Sequence, residues 1–67
     1  MEEWQERVIC EKRGLDQRLD KLKAFFGEGR FTELDLAEQE RMREQAIIMT
    51  AYSEILGKRI KAFKRKE

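Results

Sequence analysis

The sequence predicts an all-α fold: an antiparallel two-helix hairpin that assembles into a homo-oligomeric helical bundle. Two hydrophobic stripes of helical period run along the chain, a glycine-marked break separates them, and proline is absent throughout. In the first stripe Trp4, Val8, Leu15, Leu19, Leu22 and Phe26 recur at steps of three, four and seven. At ~100° per residue these steps keep them on one side of a helix over about residues 3–26. Gly27 suits the left-handed position that ends many helices, and Gly29 adds a second permissive residue to a turn over 27–31.

The second helix has two candidate starts. Thr32 with Asp35 and Asp35 with Glu38 both carry the three-residue spacing of a capping box, and residues 32–34 could form a separate turn. From Leu36 onward Met42, Met49, Leu56 and Phe63 fall seven apart, so the helix is expected over about 35–63, followed by a basic tail at 64–67. A short connection between helices of similar length makes them antiparallel neighbours in one domain spanning 1–67.

Self-association is expected on two grounds. A chain of 67 residues buries only about 60% of its unfolded surface, so a lone core is marginal. One cysteine and no histidine supply neither an internal disulfide nor a standard zinc set, so no metal or other cofactor is expected to staple the fold. A second apolar column points the same way: Ile48, Ile55 and Ala62 repeat every seven residues with Ala51 and Ala37 beside them. That column lies roughly 90° or more from the Met49 and Leu56 stripe. Cys10, Gly14 and Ala24 give the first helix a similar small-residue back. The expected oligomer interface is Cys10, Gly14, Ile48, Ala51, Ile55 and Ala62, in a dimeric four-helix bundle or a larger ring. The alternative is a monomer with a few exposed aliphatics.

Charge narrows the partners. Fifteen basic and fourteen acidic side chains leave a formal +1, so general nucleic-acid binding is not expected. Lys58, Arg59, Lys61, Lys64, Arg65 and Lys66 crowd the end of the chain, where the helix dipole favours cations and where phosphate contact is the competing explanation. No apolar run approaches the ~20 residues of a membrane helix, and the acidic start lacks the features of a secretion signal, so a cytosolic protein is expected.

Polar residues interrupt both stripes. Glu11 and Lys12 fill the gap between Val8 and Leu15, and the column three positions after Met42, Met49 and Leu56 holds Gln45, Tyr52 and Arg59. Folding the chain about residue 30 brings 8–12 opposite 49–53, so Arg7, Glu11, Lys12 and Tyr52 are expected to share a neighbourhood, with Trp4 and Arg59 one turn further along. Trp4, Arg7, Glu11, Lys12, Gln45, Tyr52 and Arg59 thus form a candidate nucleotide site, with cations for phosphate, aromatic faces for a base and polar groups for its edge. The structural alternative is that they set register and oligomer state, with long stems along the seam. There is no histidine base, no activated cysteine and no phosphate loop, so catalysis is not expected.

The pattern Glu6-Arg7-Val8, Glu11-Lys12, Leu15-Asp16, Leu19, Lys21-Leu22, Phe26, Phe31, Leu34, Gln45, Met49, Tyr52-Ser53, Ile55-Leu56 and Arg59-Ile60 resembles a family of very small tailed-phage and prophage proteins named after a relative in a crAss-like phage. That resemblance implies phage origin, a location in the host cytoplasm and an accessory role dispensable for virion building. In architecture alone the chain is also similar to phage sponges, built from helical hairpins, that sequester the nucleotide messengers of CBASS or Thoeris immunity. The Gly-Tyr-Arg messenger-binding segment of the anti-CBASS hairpin is missing here, so no binding residue carries over. The expected function is a non-enzymatic counter-defence protein whose oligomer holds a cyclic nucleotide or an ADP-ribose-derived messenger. Lys12, Arg7 and Arg59 would hold phosphates, Tyr52 or Trp4 would stack, and Glu11 or Gln45 would select the base edge. The alternatives are an anti-CRISPR-like inhibitor that binds a host enzyme through the Ile48 and Ile55 face, and an RNA-binding four-helix-bundle dimer.

Overall fold

A computed structural model describes residues 1–65, which form three helices and no strand. Helix α1 spans Glu3–Phe26. Its start is fixed by Gln5, whose side-chain oxygen accepts the Glu2 N–H at 2.9 Å, satisfying a donor that has no partner within the helix. Glu3 and Glu6 in the first turn and Lys23 in the last suit the helix dipole.

The connection departs from the expected turn. Gly27 sits at φ −89° and ψ 0°, on the right-handed side, not in the left-handed conformation anticipated for it. The chain has no need to reverse hand there, because Gly27 and Glu28 donate to the carbonyls of Ala24 and Phe25 and tighten the last turn. A four-residue helix, α2, follows at Gly29–Thr32. It presents Phe31, which is buried against Phe25 and Phe26 at centroid distances of 5.9 and 5.0 Å. Arg43 lies 5.2 Å over the outer face of the same ring. The Thr32 hydroxyl donates back to Gly29 and caps nothing beyond it. Asp35 is the true cap: its carboxylate accepts the Glu38 N–H at 2.8 Å. The reciprocal half of a capping box is absent, since the Glu38 carboxylate accepts from Arg41 instead.

Helix α3 spans Leu36–Arg65, two residues past Phe63, so Lys64 and Arg65 belong to the helix and the remainder of the expected basic tail, Lys66 and Glu67, lies outside the described residues. Gln39 pins its first turns to the connection by donating to the carbonyls of Leu34 at 2.9 Å and Thr32 at 3.4 Å.

α1 and α3 run antiparallel in contact along their length, from Lys12 against Ser53 to Trp4 against Phe63. The core cluster is Val8, Leu15 and Leu56, with Met49, Ile60 and Phe63 packed around it. The register falls about one turn further along α3 than a fold about residue 30 places it, because α2 and its flanks shift the pivot toward the C-terminus. The second seam column also differs from the expected one. Gln39, Ala46, Ser53 and Ile60 are buried or half-buried, whereas Gln45, Tyr52 and Arg59 are exposed. The seam of α3 alternates steps of four and three from Met42, the spacing that keeps both columns toward one partner helix.

The opposite side of α3 is uncovered. Ile47 and Ile48 are 69% and 68% exposed and Ile55 is 53% exposed. Leu56, by contrast, is 1% exposed. Leu56→Ala is expected to destabilise the fold by about 3 kcal/mol through lost transfer energy and the residual cavity, and Leu36→Ala by less than about 0.5 kcal/mol, because Leu36 is already in water. Urea unfolding followed by circular dichroism reads both.

Candidate functional site

Two places on the molecule gather chemistry. The first lies inside the seam, where the apolar stripe of α1 is broken by Lys12. Its ammonium donates to the Asp16 carboxylate at 2.9 Å and, across the helix pair, to the Ser53 hydroxyl at 2.8 Å. Ser53 in turn donates to the other Asp16 oxygen at 2.5 Å. The three groups close a ring that spends the buried hydroxyl and fixes the ammonium, which is the arrangement a polar group in a seam requires. Gly57 makes room for the lysine stem: a Cβ there would lie 3.4 Å from Lys12 Cε. The hydrogen bond from Lys12, then that from Ser53, hold the Asp16 carboxyl below its usual value of 3.8, against a smaller opposing effect of burial.

The second place is the open end of the helix pair. Trp4, half-exposed, makes a T-shaped contact with Phe63, with centroids 5.4 Å apart and planes at 79°. Together with Arg59 and Ala62 these rings line a shallow cleft. A second cleft, lined by Met1, Glu2, Gln5, Phe63 and Lys64, opens beside it. Among the described residues Arg59 has no intrachain ion-pair partner, so its guanidinium is available to a ligand at the edge of an aromatic surface.

The residues proposed from sequence therefore separate. Trp4 and Arg59 share the end cleft. Lys12 faces the seam and is committed to Asp16 and Ser53. Arg7 leans toward Glu3 at 3.8 Å in full exposure, Glu11 is exposed, and Gln45 turns its amide to the Met49 sulfur at 3.7 Å. Tyr52 is exposed on the outer side of α3, in the column that reaches Arg59 seven residues later. Among the described residues no hydrogen bond or ion pair joins Arg7 or Glu11 to Tyr52. Lys12 bonds to Asp16 and Ser53 and not to Tyr52, because the pairing register is shifted and the buried column is that of Ser53. Asp16 and Ser53 were overlooked as partners of Lys12; the signal available was Asp16 four residues after Lys12 and a small residue, Ser53, in the seam column with Ala46 and Ile60.

Of the positions expected at an oligomer interface, Cys10, Ile48, Ala51, Ile55 and Ala62 are exposed, and Gly14 is half-buried, with Arg18 close by. Among the described residues no cluster of three or more histidine, cysteine or carboxylate side chains could hold a metal ion. No helix among them is long and apolar enough to cross a membrane.

A family model described as Sequestin matches residues 2–62, and the chain belongs to that family. The match takes in all of α1, α2 and the connection, and α3 as far as Ala62. No curated protein and no solved structure matches.

The Asp16 ring makes a pH prediction. A carboxyl held below 3.8 in the folded chain stabilises the fold fully above that unfolded value, and the contribution is lost as pH falls through the lower folded value. Wild type should therefore lose stability on acidification below about pH 4 more steeply than Asp16→Asn, whose side chain does not titrate. Denaturant midpoints compared at pH 7 and pH 3 test this, and equal slopes in the two proteins would show that the ring does not act on stability.

Proposed function

We propose that this Sequestin-family protein is a phage-encoded, non-enzymatic counter-defence factor that binds and withholds a nucleotide-derived immune messenger, with helical hairpins joined into an oligomer. The family description points to sequestering as the general activity. Sequestration needs affinity and stoichiometry and no bond-making group, so a small chain made in quantity suffices.

The observation that carries the reading is the end cleft. Trp4 offers an indole half in solvent, Phe63 packs beside it, and Arg59 lines the same cleft with no ion-pair partner among the described residues. An aromatic face for a base next to a guanidinium for phosphate is the minimal kit for a nucleotide. Lys12 is occupied within the seam, so Arg59 replaces it as the principal phosphate contact and Trp4 becomes the principal stacking surface. Tyr52 extends the same side of α3 away from the cleft.

Calorimetric titration with a panel of cyclic di- and trinucleotides and cyclic ADP-ribose isomers tests the reading. Binding by at least one of them is expected, weakened roughly tenfold by Trp4→Ala or Arg59→Ala, the scale of one lost stacking or charge contact. Absence of heat with every ligand at micromolar protein would overturn it.

A further inference from the structure

The uncovered side of α3 carries more information than its exposure, because its charges are asymmetric. Ile48 and Ile55 form its apolar centre, with Ala51 between them small enough to allow close approach. Glu44 lies one turn before Ile48, and Arg59 lies one turn after Ile55. Among the described residues neither Glu44 nor Arg59 has an intrachain ion-pair partner. Beyond Arg59 the helix is strongly basic, with Lys61, Lys64 and Arg65.

We propose that the occupant of this face is a second copy of the chain, paired α3 to α3 in the antiparallel direction about a two-fold axis that passes between Ala51 and Tyr52. The proposal rests on the self-association assumed in the functional reading and adds the orientation and the cross-subunit contacts. The sequence itself fixes the register. A two-fold axis at that point sets Ile48 opposite Ile55 of the second copy and, in the same register, Glu44 opposite its Arg59. Ala51 meets Tyr52, a small residue against a large one. Parallel pairing in register would instead stack Arg59 on Arg59 and bring the two basic ends together, and like charges set opposite one another oppose association. An isologous contact of this kind also closes on itself, so it yields a dimer and not a fibre.

The pairing bears on the end cleft. Arg59 lines that cleft, so the second copy would add the Glu44 carboxylate to its rim. A guanidinium has five donors and one carboxylate engages at most two of them, which leaves the rest for a phosphate.

A charge-swap series read by sedimentation velocity, without ligand, tests this. Wild type is expected as a dimer at tens of micromolar. Glu44→Arg and Arg59→Glu alone should each weaken dimerisation by roughly tenfold, since each disturbs two symmetry-related exposed ion pairs. The double variant Glu44→Arg with Arg59→Glu should return to near wild type, and circular dichroism confirms that all variants remain helical. Spin labels at Glu40→Cys in a Cys10→Ser background should lie roughly 35 Å apart, from the 1.5 Å rise per residue on either side of the axis, whereas parallel helices would bring them within about 15 Å. A wild-type dimer without rescue in the double variant, or with the short label distance, overturns the antiparallel register while leaving self-association standing. A wild-type monomer at these concentrations overturns both. Messenger binding is read separately by calorimetry, so failure of the ligand reading does not imitate either result.

Discussion

A pair of antiparallel helices can cover one stripe on each member, and most of the molecule's features follow from that limit. α1 covers the columns of α3 that contain Ala46, Ser53 and Leu56. Among the described residues nothing is left to cover the column of Ile48 and Ile55, because α2 is four residues long and is spent on burying Phe31 at the closed end. The molecule is 50 Å long and about 15 Å across, so few of its residues lie far from water. Packing is therefore concentrated in a single row of side chains, and each layer of that row decides the register of the next.

The Lys12 layer shows how register is fixed at the middle of that row. Apolar layers tolerate sliding by a heptad, since one leucine fits against another nearly as well. A lysine held by Asp16 on its own helix meets Ser53 on the other in only one alignment, and a slip would leave the buried Ser53 hydroxyl without both of its partners, at the cost of burying a polar group unpaired, while the Lys12–Asp16 pair within α1 would persist. Gly57 belongs to the same device, because the lysine stem passes where a side chain would otherwise stand. The ring is thus better explained as a specificity element of the helix pair than as a ligand site. A buried polar residue that selects one alignment is a known use of such groups in helical seams.

Helix boundaries and the inner stripe were legible in the sequence because they rest on period and punctuation, which local physics enforces. Val8, Leu15 and Leu56 could be assigned to the seam from spacing alone. The second column could not, because its members are Gln39, Ala46, Ser53 and Ile60, and only Ile60 is strongly apolar. Three positions after each methionine or leucine and four positions after are equally helical choices. The exposed Tyr52 looked more like a core residue than the buried Ser53 does. The pivot differs for a related reason: the glycines predict a simple turn over 27–31, with a separate turn possible at 32–34, whereas Phe31 gains enough burial against Phe25 and Phe26 to fold α2 into the connection. Of the candidate site, Trp4 and Arg59 share the end cleft, because a difference of about one turn in register is within the reach of a tryptophan and an arginine side chain.

Arg59 belongs to both surfaces. It occurs on the border between the end cleft, where it faces Trp4 and Phe63, and the uncovered column of α3, where it follows Ile55 by four residues. A cation at that border is useful to a sequestering protein in a way that an enclosed one is not. A site open to solvent on a single thin hairpin leaves a nucleotide mostly hydrated, and the aromatic and charged contacts it can make are each weak in water. Bringing a second surface over the same cleft removes water from both contacts at once and strengthens them together. In the proposed dimer with a messenger in the cleft, the apolar face of α3 and the aromatic end would act together, the first bringing up the wall that shields the second from water.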